Sequence, residues 1–232
     1  HKYYGKMIFQ TPEVFRKDME YLAKRFSEKR EVTLWIANTN MSLFKEDFEI
    51  AKIIREMRDE FGWPTNININ SGKDTNKLLE MQKIIDFTPG VALQTLTPKV
   101  LKNIGRKNIT MEEFGEFQKQ ILGQGRSTST ELILSLPDET KDSFLSSLET
   151  TMNSGVQNIV VYTLMYLRGT PLAEAEWKSR FHPAIRHRLV PRSFSEINGE
   201  KVFDTEEVII GTDSMNANEY FELRNLVFSV SV

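Results

Sequence analysis

Residues 127–140, STSTELILSLPDET, constrain the fold of this chain more than any other stretch. They begin as an alternating strand, with Ser127, Ser129, Glu131, Ile133 and Ser135 on one face and Thr128, Thr130, Leu132 and Leu134 on the other. A carboxylate in mid-strand is a poor strand former and costly to bury unpaired, so Glu131 must face solvent or a cavity with something to bind. Pro137 stops the strand, and Asp138 and Thr140 offer caps to a helix over 141–152. In parallel α/β proteins such a strand–loop–helix places its loop at the carboxyl end of the strands, where ligands bind.

The same alternation recurs along the chain. Residues 1–9 have no periodicity, and Thr11-Pro12-Glu13 opens a helix with Pro at the first helical position and Val14, Phe15, Met19, Leu22, Ala23 and Phe26 at helical spacing. Residues 31–38 read as a strand, followed by a polar loop and a helix over 45–61 with Phe48, Ala51, Ile54 and Met57 on one stripe. Residues 66–70 alternate strictly, so two isoleucines face one way and Asn66, Asn68 and Asn70 the other; a wet lumen and a solvated edge strand both give this pattern. Helices over 75–85, 98–104 and 111–122, the last with a Thr110/Glu113 capping box, and strands over 90–96 and 158–164 complete the set. Strands separated by helices specify parallel pairing through right-handed crossovers. Beyond residue 173 the pattern changes to extended segments around a hairpin signal at Asn198-Gly199, then a helix over 216–228. We therefore divide the chain into an α/β domain, 1–173, and an α+β extension, 174–232.

Composition excludes several classes. A 232-residue chain with 40% hydrophobic and 27% charged residues is an ordinary globular one. No apolar run reaches the ~18 residues of a membrane helix, and no signal peptide opens it, so the expectation is a cytoplasmic protein without a membrane partner. A net charge of −2 gives no nucleic-acid footprint, and the basic run at 180–192 reads as a solvated segment. The three histidines, His1, His182 and His187, have no metal-ligand spacing, and there is no cysteine, so no protein-held metal site is expected.

ELILSLPDET at 131–140 resembles the segment ELILGLPGET of radical S-adenosylmethionine (radical SAM) enzymes, particularly the cobalamin-associated class. QTLTPKVLKNIGRKNIT at 94–110 and VYTLMYLRGTPLA at 161–173 resemble the same family in the same order, so the resemblance spans about residues 10–173. It implies a partial (β/α)6 TIM-like barrel whose first strand and CxxxCxxC cluster loop lie upstream of this chain. The implied cofactors are S-adenosylmethionine (SAM), a 4Fe-4S cluster with its ligands upstream, since such clusters are held by cysteine thiolates, and, in a separate domain, cobalamin. The implied activity is reductive cleavage of SAM to a 5′-deoxyadenosyl radical. That radical would act on a small-molecule or peptide substrate, with flavodoxin or ferredoxin as electron donor.

By the same resemblance Glu131, Gln94, Asn38, Asn40 and Asn68 are candidate SAM contacts, Arg106 and Lys107 candidate partners of an anionic carboxylate, and Tyr162, Leu164 and Met165 an apolar wall for the adenine. Each has a plainer role open to it: Glu131 in an ion pair, Gln94 on loop backbone, the basic pair in solvent, the apolar residues in the core. No catalytic residue is assigned. Asn38 and Asn40 depart from the family, whose members often carry an acidic residue in that loop, and Ser135 and Asp138 stand where the family has glycine. Two other readings are a noncatalytic binding module that has lost the cluster, and a cluster-independent barrel lyase or isomerase with Glu131 as base.

Overall fold

The computed structural model describes residues 10–29 and 31–230, so residues 1–9, His1 among them, lie outside the described residues. The chain forms two compact units, one made by the chain through Val91 with Gly123–Thr128, the other by Ala92–Leu122 with Ser129–Val232.

In the first unit α1 (Pro12–Phe26) begins as the sequence dictates, with the Thr11 hydroxyl accepting from the Val14 amide at 3.4 Å and Pro12 in the first turn. Strand β1 (Leu34–Met41) starts three residues later than 31–38 suggested. The Val32 amide closes a turn onto the Lys29 carbonyl, 3.1 Å, and the Trp63 indole holds the Val32 carbonyl at 3.0 Å, so the segment before Leu34 is committed elsewhere. Helix α2 (Lys45–Phe61) buries Ala51, Ile54 and Met57 of the expected stripe and ends on Gly62, whose φ of 70° lets its amide reach the Arg58 carbonyl at 2.9 Å. Strand β2 (Ile67–Ser71) pairs with β1 in parallel, Trp35 across from Asn68 and Ile36 across from Ile69, and α3 (Thr75–Gln82) follows, capped by Asp74. The 66–70 alternation is realised: Ile69 is buried, whereas Asn66, Asn68 and Asn70 are exposed.

Residues 90–96, expected as a strand, form no ladder; within that segment Gln94 makes a parallel bridge to Leu132. Three features oppose a ladder there. Pro89 has no amide to donate, the Ser71 hydroxyl bonds both polar groups of the Gly90 backbone, and Gln94 has φ 67°, outside extended geometry. The parallel strands of the described residues accordingly stand as two two-stranded sheets, β1 with β2 and β3 with β4. The architecture shown is mixed α/β with parallel strand pairs.

In the second unit α4 (Pro98–Asn103) and α5 (Met111–Gly123) precede β3 (Ser129–Leu134). The Thr110/Glu113 box is formed, each backbone amide bonded to the other's side chain at 3.1 Å. Thr130, Leu132 and Leu134 of β3 are buried and Ser129, Glu131 and Ile133 half-buried, the two faces read from the sequence. Helix α6 (Lys141–Asn153), capped by Thr140, leads to β4 (Asn158–Thr163), which pairs with β3 in parallel, Glu131 across from Val160 and Ile133 from Tyr162.

The tail belongs to this same unit. After α7 (Ala175–Phe181), β5 (Ile185–Ile197) and β6 (Glu200–Ile209) form an antiparallel hairpin whose turn residues Asn198 and Gly199 have φ 53° and 84°, the left-handed pair a two-residue turn of this hand requires. The end of β6 bonds the chain that continues β4: the Ile209 amide donates to the Leu164 carbonyl and the Tyr166 amide to the Glu207 carbonyl, both 2.8 Å. Helix α8 (Ala217–Val230) adds a hydrogen bond of 2.8 Å between the Tyr220 hydroxyl and Thr163, and the Arg224 guanidinium donates to the Val161 carbonyl at 3.1 Å. Open strand edges are ordinarily covered, and here the tail covers β4.

Candidate functional site

Strand β3 positions the most informative group. Its backbone is bracketed, by β4 on one side and by Gln94 on the other, whose amide donates to the Glu131 carbonyl at 2.7 Å and whose carbonyl accepts from the Ile133 amide at 2.9 Å. The parallel register puts Glu131, Ile133 and Tyr162 on one face. Glu131 is half-buried and its carboxylate has no cation or hydrogen-bond partner among the described residues. Burial holds its carboxyl above the usual carboxylate range. The Tyr162 phenol is likewise pushed up, first by burial and then by the nearby Glu131 charge. The side-chain Oε1 of Gln94 is buried without a partner. Two adjoining backbone positions thus each carry a side-chain acceptor that no described residue answers. Such a place suits a ligand that brings donors or positive charge.

The other sequence candidates are placed as follows. Leu164 is buried in an apolar cluster with Leu136, Tyr166, Trp177 and Ile209, so it packs against the chain's own tail. Met165 is half-buried and bridges Val208 through its backbone. Arg106 and Lys107 are exposed beyond α4. In the first unit, the Asn38 amide nitrogen donates to the buried Asp47 carboxylate at 2.9 Å and its oxygen accepts from the Asn40 amide at 3.0 Å. That arrangement fixes the loop into α2, because Asp47 also accepts from the Phe44 amide at 3.0 Å. Asn40 and Asn68 are exposed.

Ser135 and Asp138 have φ of 65° and 66°, the left-handed region glycine occupies without cost. The backbone thus explains the glycines of the resembled segment. Asp138 uses its side chain: it accepts from Asn103 at 2.8 Å and pairs with Lys99 at 3.1 Å. Burial alone would raise its carboxyl, but these two partners hold it below the ordinary value. Behind the loop Glu139 is fully buried and accepts from Thr97 at 2.8 Å and Ser143 at 2.5 Å, tying the starts of α4 and α6 together.

Sequence reasoning passed over Trp35, which is 71% exposed on the asparagine face of the β1–β2 pair. The signal was present in the alternation of Leu34, Trp35 and Ile36, which sends the indole away from the core-facing aliphatics. No group of metal-ligating side chains exists among the described residues, and none of their helices is long and apolar enough to cross a membrane.

No family model matches the chain. It is 28% identical over 228 residues to the cobalamin-dependent radical SAM methyltransferase TokK of Streptomyces tokunonensis, over 94% of this chain and 32% of that protein. It is also 28% identical over 215 residues to the 2-(S-pantetheinyl)-carbapenam-3-carboxylate methyltransferase of Streptantibioticus cattleyicolor, over 88% of this chain and 31% of that protein. The backbone matches the radical S-adenosylmethionine methyltransferase TsrM of Kitasatospora setae, solved with tryptophan substrate and a SAM analogue, with a TM-score of 0.55 at 14% identity over 77% of this chain and 36% of that one. The chain thus spans about a third of the length of these relatives. All three are enzymes, which lends no support to the noncatalytic module. In its sequence relatives and in its fold, the chain is similar to radical SAM enzymes of the cobalamin-associated class.

Proposed function

We propose that this chain is the barrel part, a partial (β/α)6 barrel at residues 1–173 with an extension at 174–232, of a radical SAM enzyme acting on a small-molecule substrate. The observation that carries the proposal is the half-buried Glu131 near Tyr162, without a cation among the described residues, on a strand whose neighbour Gln94 keeps a buried Oε1 without a partner. SAM is a fitting answer to those acceptors, since it presents an ammonium, a sulfonium and two ribose hydroxyls. In this reading Glu131 and Gln94 accept hydrogen bonds from the cofactor and orient it, Tyr162 supplies a flat surface beside it, and the tail-packed cluster around Leu164 keeps water from the carboxyl end of β3 and β4. SAM, once bound and reduced, supplies the radical chemistry. A 4Fe-4S cluster needs thiolates that none of the 232 residues carries, so these residues do not hold it and no step is derived through it. Cobalamin enters through the relatives alone. The electron donor is a small redox protein such as flavodoxin or ferredoxin, and the compartment the cytoplasm.

The test is SAM binding by titration calorimetry to the full-length protein and to Glu131→Gln, which keeps size and removes charge. A hydrogen bond to a charged group contributes about 1.5–3 kcal/mol, so the variant should bind roughly ten- to hundredfold more weakly without a lower unfolding midpoint. Equal affinity in the two proteins would remove Glu131 from the site and the proposal with it.

A further inference from the structure

The chain turns tightly at Gln94. The Leu93 carbonyl accepts from the Thr95 amide at 2.9 Å, two residues on, and Gln94 between them has φ 67°. A γ-turn of that hand is the rarer and more strained kind, and such strain persists only where the surroundings over-determine it. The amide and carbonyl of Gln94 itself are taken by β3. The three residues that follow are answered by side chains from elsewhere in the chain. The Asn108 amide nitrogen donates to the Thr95 carbonyl at 2.8 Å, the Leu96 amide donates to the Ser147 hydroxyl at 3.2 Å, and the Thr97 hydroxyl donates to Glu139 Oε1 at 2.8 Å. Ser147 and Glu139 are both buried. Thr95 adds a local bond, its hydroxyl accepting from the Thr97 amide at 3.1 Å.

We propose that Ser147, Asn108 and Glu139 are positioning residues for Gln94: they hold the strained turn so that its buried Oε1, which no described residue answers, stays aimed at a bound ligand. Burying a hydroxyl and a carboxyl costs free energy, and packing α6 against residues 95–97 does not require either group. What they supply is direction. Each bond fixes one polar group of residues 95–97, and together with the pairing to β3 they leave the turn a single conformation. Without them Gln94 relaxes toward ordinary negative φ, and the direction of its side chain, which the backbone sets, changes with it. A ligand of Gln94 then binds only the fraction of molecules that still hold the turn, and its apparent affinity falls by that fraction. The inference rests on the proposed function in taking SAM as that ligand, and goes beyond it in assigning residues that act through Gln94 rather than on the cofactor.

Ser147→Ala removes the acceptor of the Leu96 amide with little change in volume. Thr151→Ala is its control, because Thr151 is also buried on α6 but bonds the Ser147 carbonyl of its own helix, 2.7 Å away. In the full-length protein, amide hydrogen exchange at Gln94, Thr95 and Ile133 should quicken in Ser147→Ala and not in Thr151→Ala. Titration calorimetry should show SAM binding severalfold weaker in Ser147→Ala, unchanged in Thr151→Ala and roughly tenfold weaker in Gln94→Ala. The double variant Ser147→Ala/Gln94→Ala should bind no more weakly than Gln94→Ala alone, because Ser147 acts through Gln94. Urea midpoints establish that each variant is folded. Unchanged exchange or unchanged SAM affinity in Ser147→Ala would each overturn the proposal. So would losses that multiply in the double variant, or an equal loss in Thr151→Ala, which would mark a general loosening of α6. A parent that binds no SAM, with exchange in Ser147→Ala quickened as expected, would sink the radical SAM reading and leave the hold on Gln94 standing.

Discussion

Replacing Ser135 by glycine should stabilise the protein, and the expected amount follows from its surroundings. Ser135 holds φ at 65°, is fully buried, and its hydroxyl has one weak acceptor, the Met215 sulfur at 3.8 Å. A non-glycine residue in the left-handed region costs roughly 1–2 kcal/mol. Glycine removes that cost but raises the entropy of the unfolded chain, a loss of about 0.5–1 kcal/mol. The lost O–H···S contact is a weak one, because sulfur is a poor acceptor. The net expectation is a gain of about 0.5–1 kcal/mol. Ser135→Ala separates the two contributions, since it keeps the strained backbone while deleting the hydroxyl, and should be no more stable than the parent. Urea titrations of the three proteins give midpoints and slopes, and unchanged slopes identify a change in stability rather than in the exposed surface. A glycine variant less stable than the parent, or an alanine variant gaining as much as glycine, would refute the backbone argument.

Glu131 should also leave a mark on the pH dependence of stability. Its folded carboxyl titrates above the unfolded value of 4.5, so the folded state binds this proton more tightly. Its contribution to stability is therefore largest below that unfolded value and is lost as pH rises through the folded one, flat thereafter. Urea midpoints measured upward from about pH 4 should show this decline in the parent and not in Glu131→Gln; parallel profiles would contradict the burial of an unpaired carboxylate. Tyr220→Phe removes the partner of the buried Thr163 hydroxyl, 2.8 Å away, and should cost about 1–3 kcal/mol. Adding Thr163→Val should recover part of that loss, because both polar groups are then gone; strictly additive losses would mean that the bond does not tie the tail to β4.

The sequence by itself determined those elements whose signals are local. Thr11 with Pro12, Thr110 with Glu113 and Gly62 mark helix ends through groups a few residues apart, and the structure places those ends where the sequence did. Alternation along 66–70 and 127–134 separated buried from open faces, because a strand's period of two leaves no other choice, whereas Ser135, read onto the face of Glu131, is buried where the chain turns left-handed. Asn198-Gly199 specified its hairpin because both residues tolerate positive φ. The three motif segments also carried the likeness to radical SAM enzymes. Only the tertiary structure decided the rest, which depends on groups far apart in the chain. Residues 90–96 have a strand's composition, but Ser71, nineteen positions before Gly90, takes up the Gly90 backbone groups, and Gln94 turns left-handed between them and α4. Nothing near Asn38 announced that Asp47 would claim its amide, and nothing near Leu164 announced Trp177 and Ile209. That Glu131 lacks a cation among the described residues was equally hidden: a strand pattern shows which face a carboxylate takes, whereas its partner is settled by which distant side chains folding brings to that face.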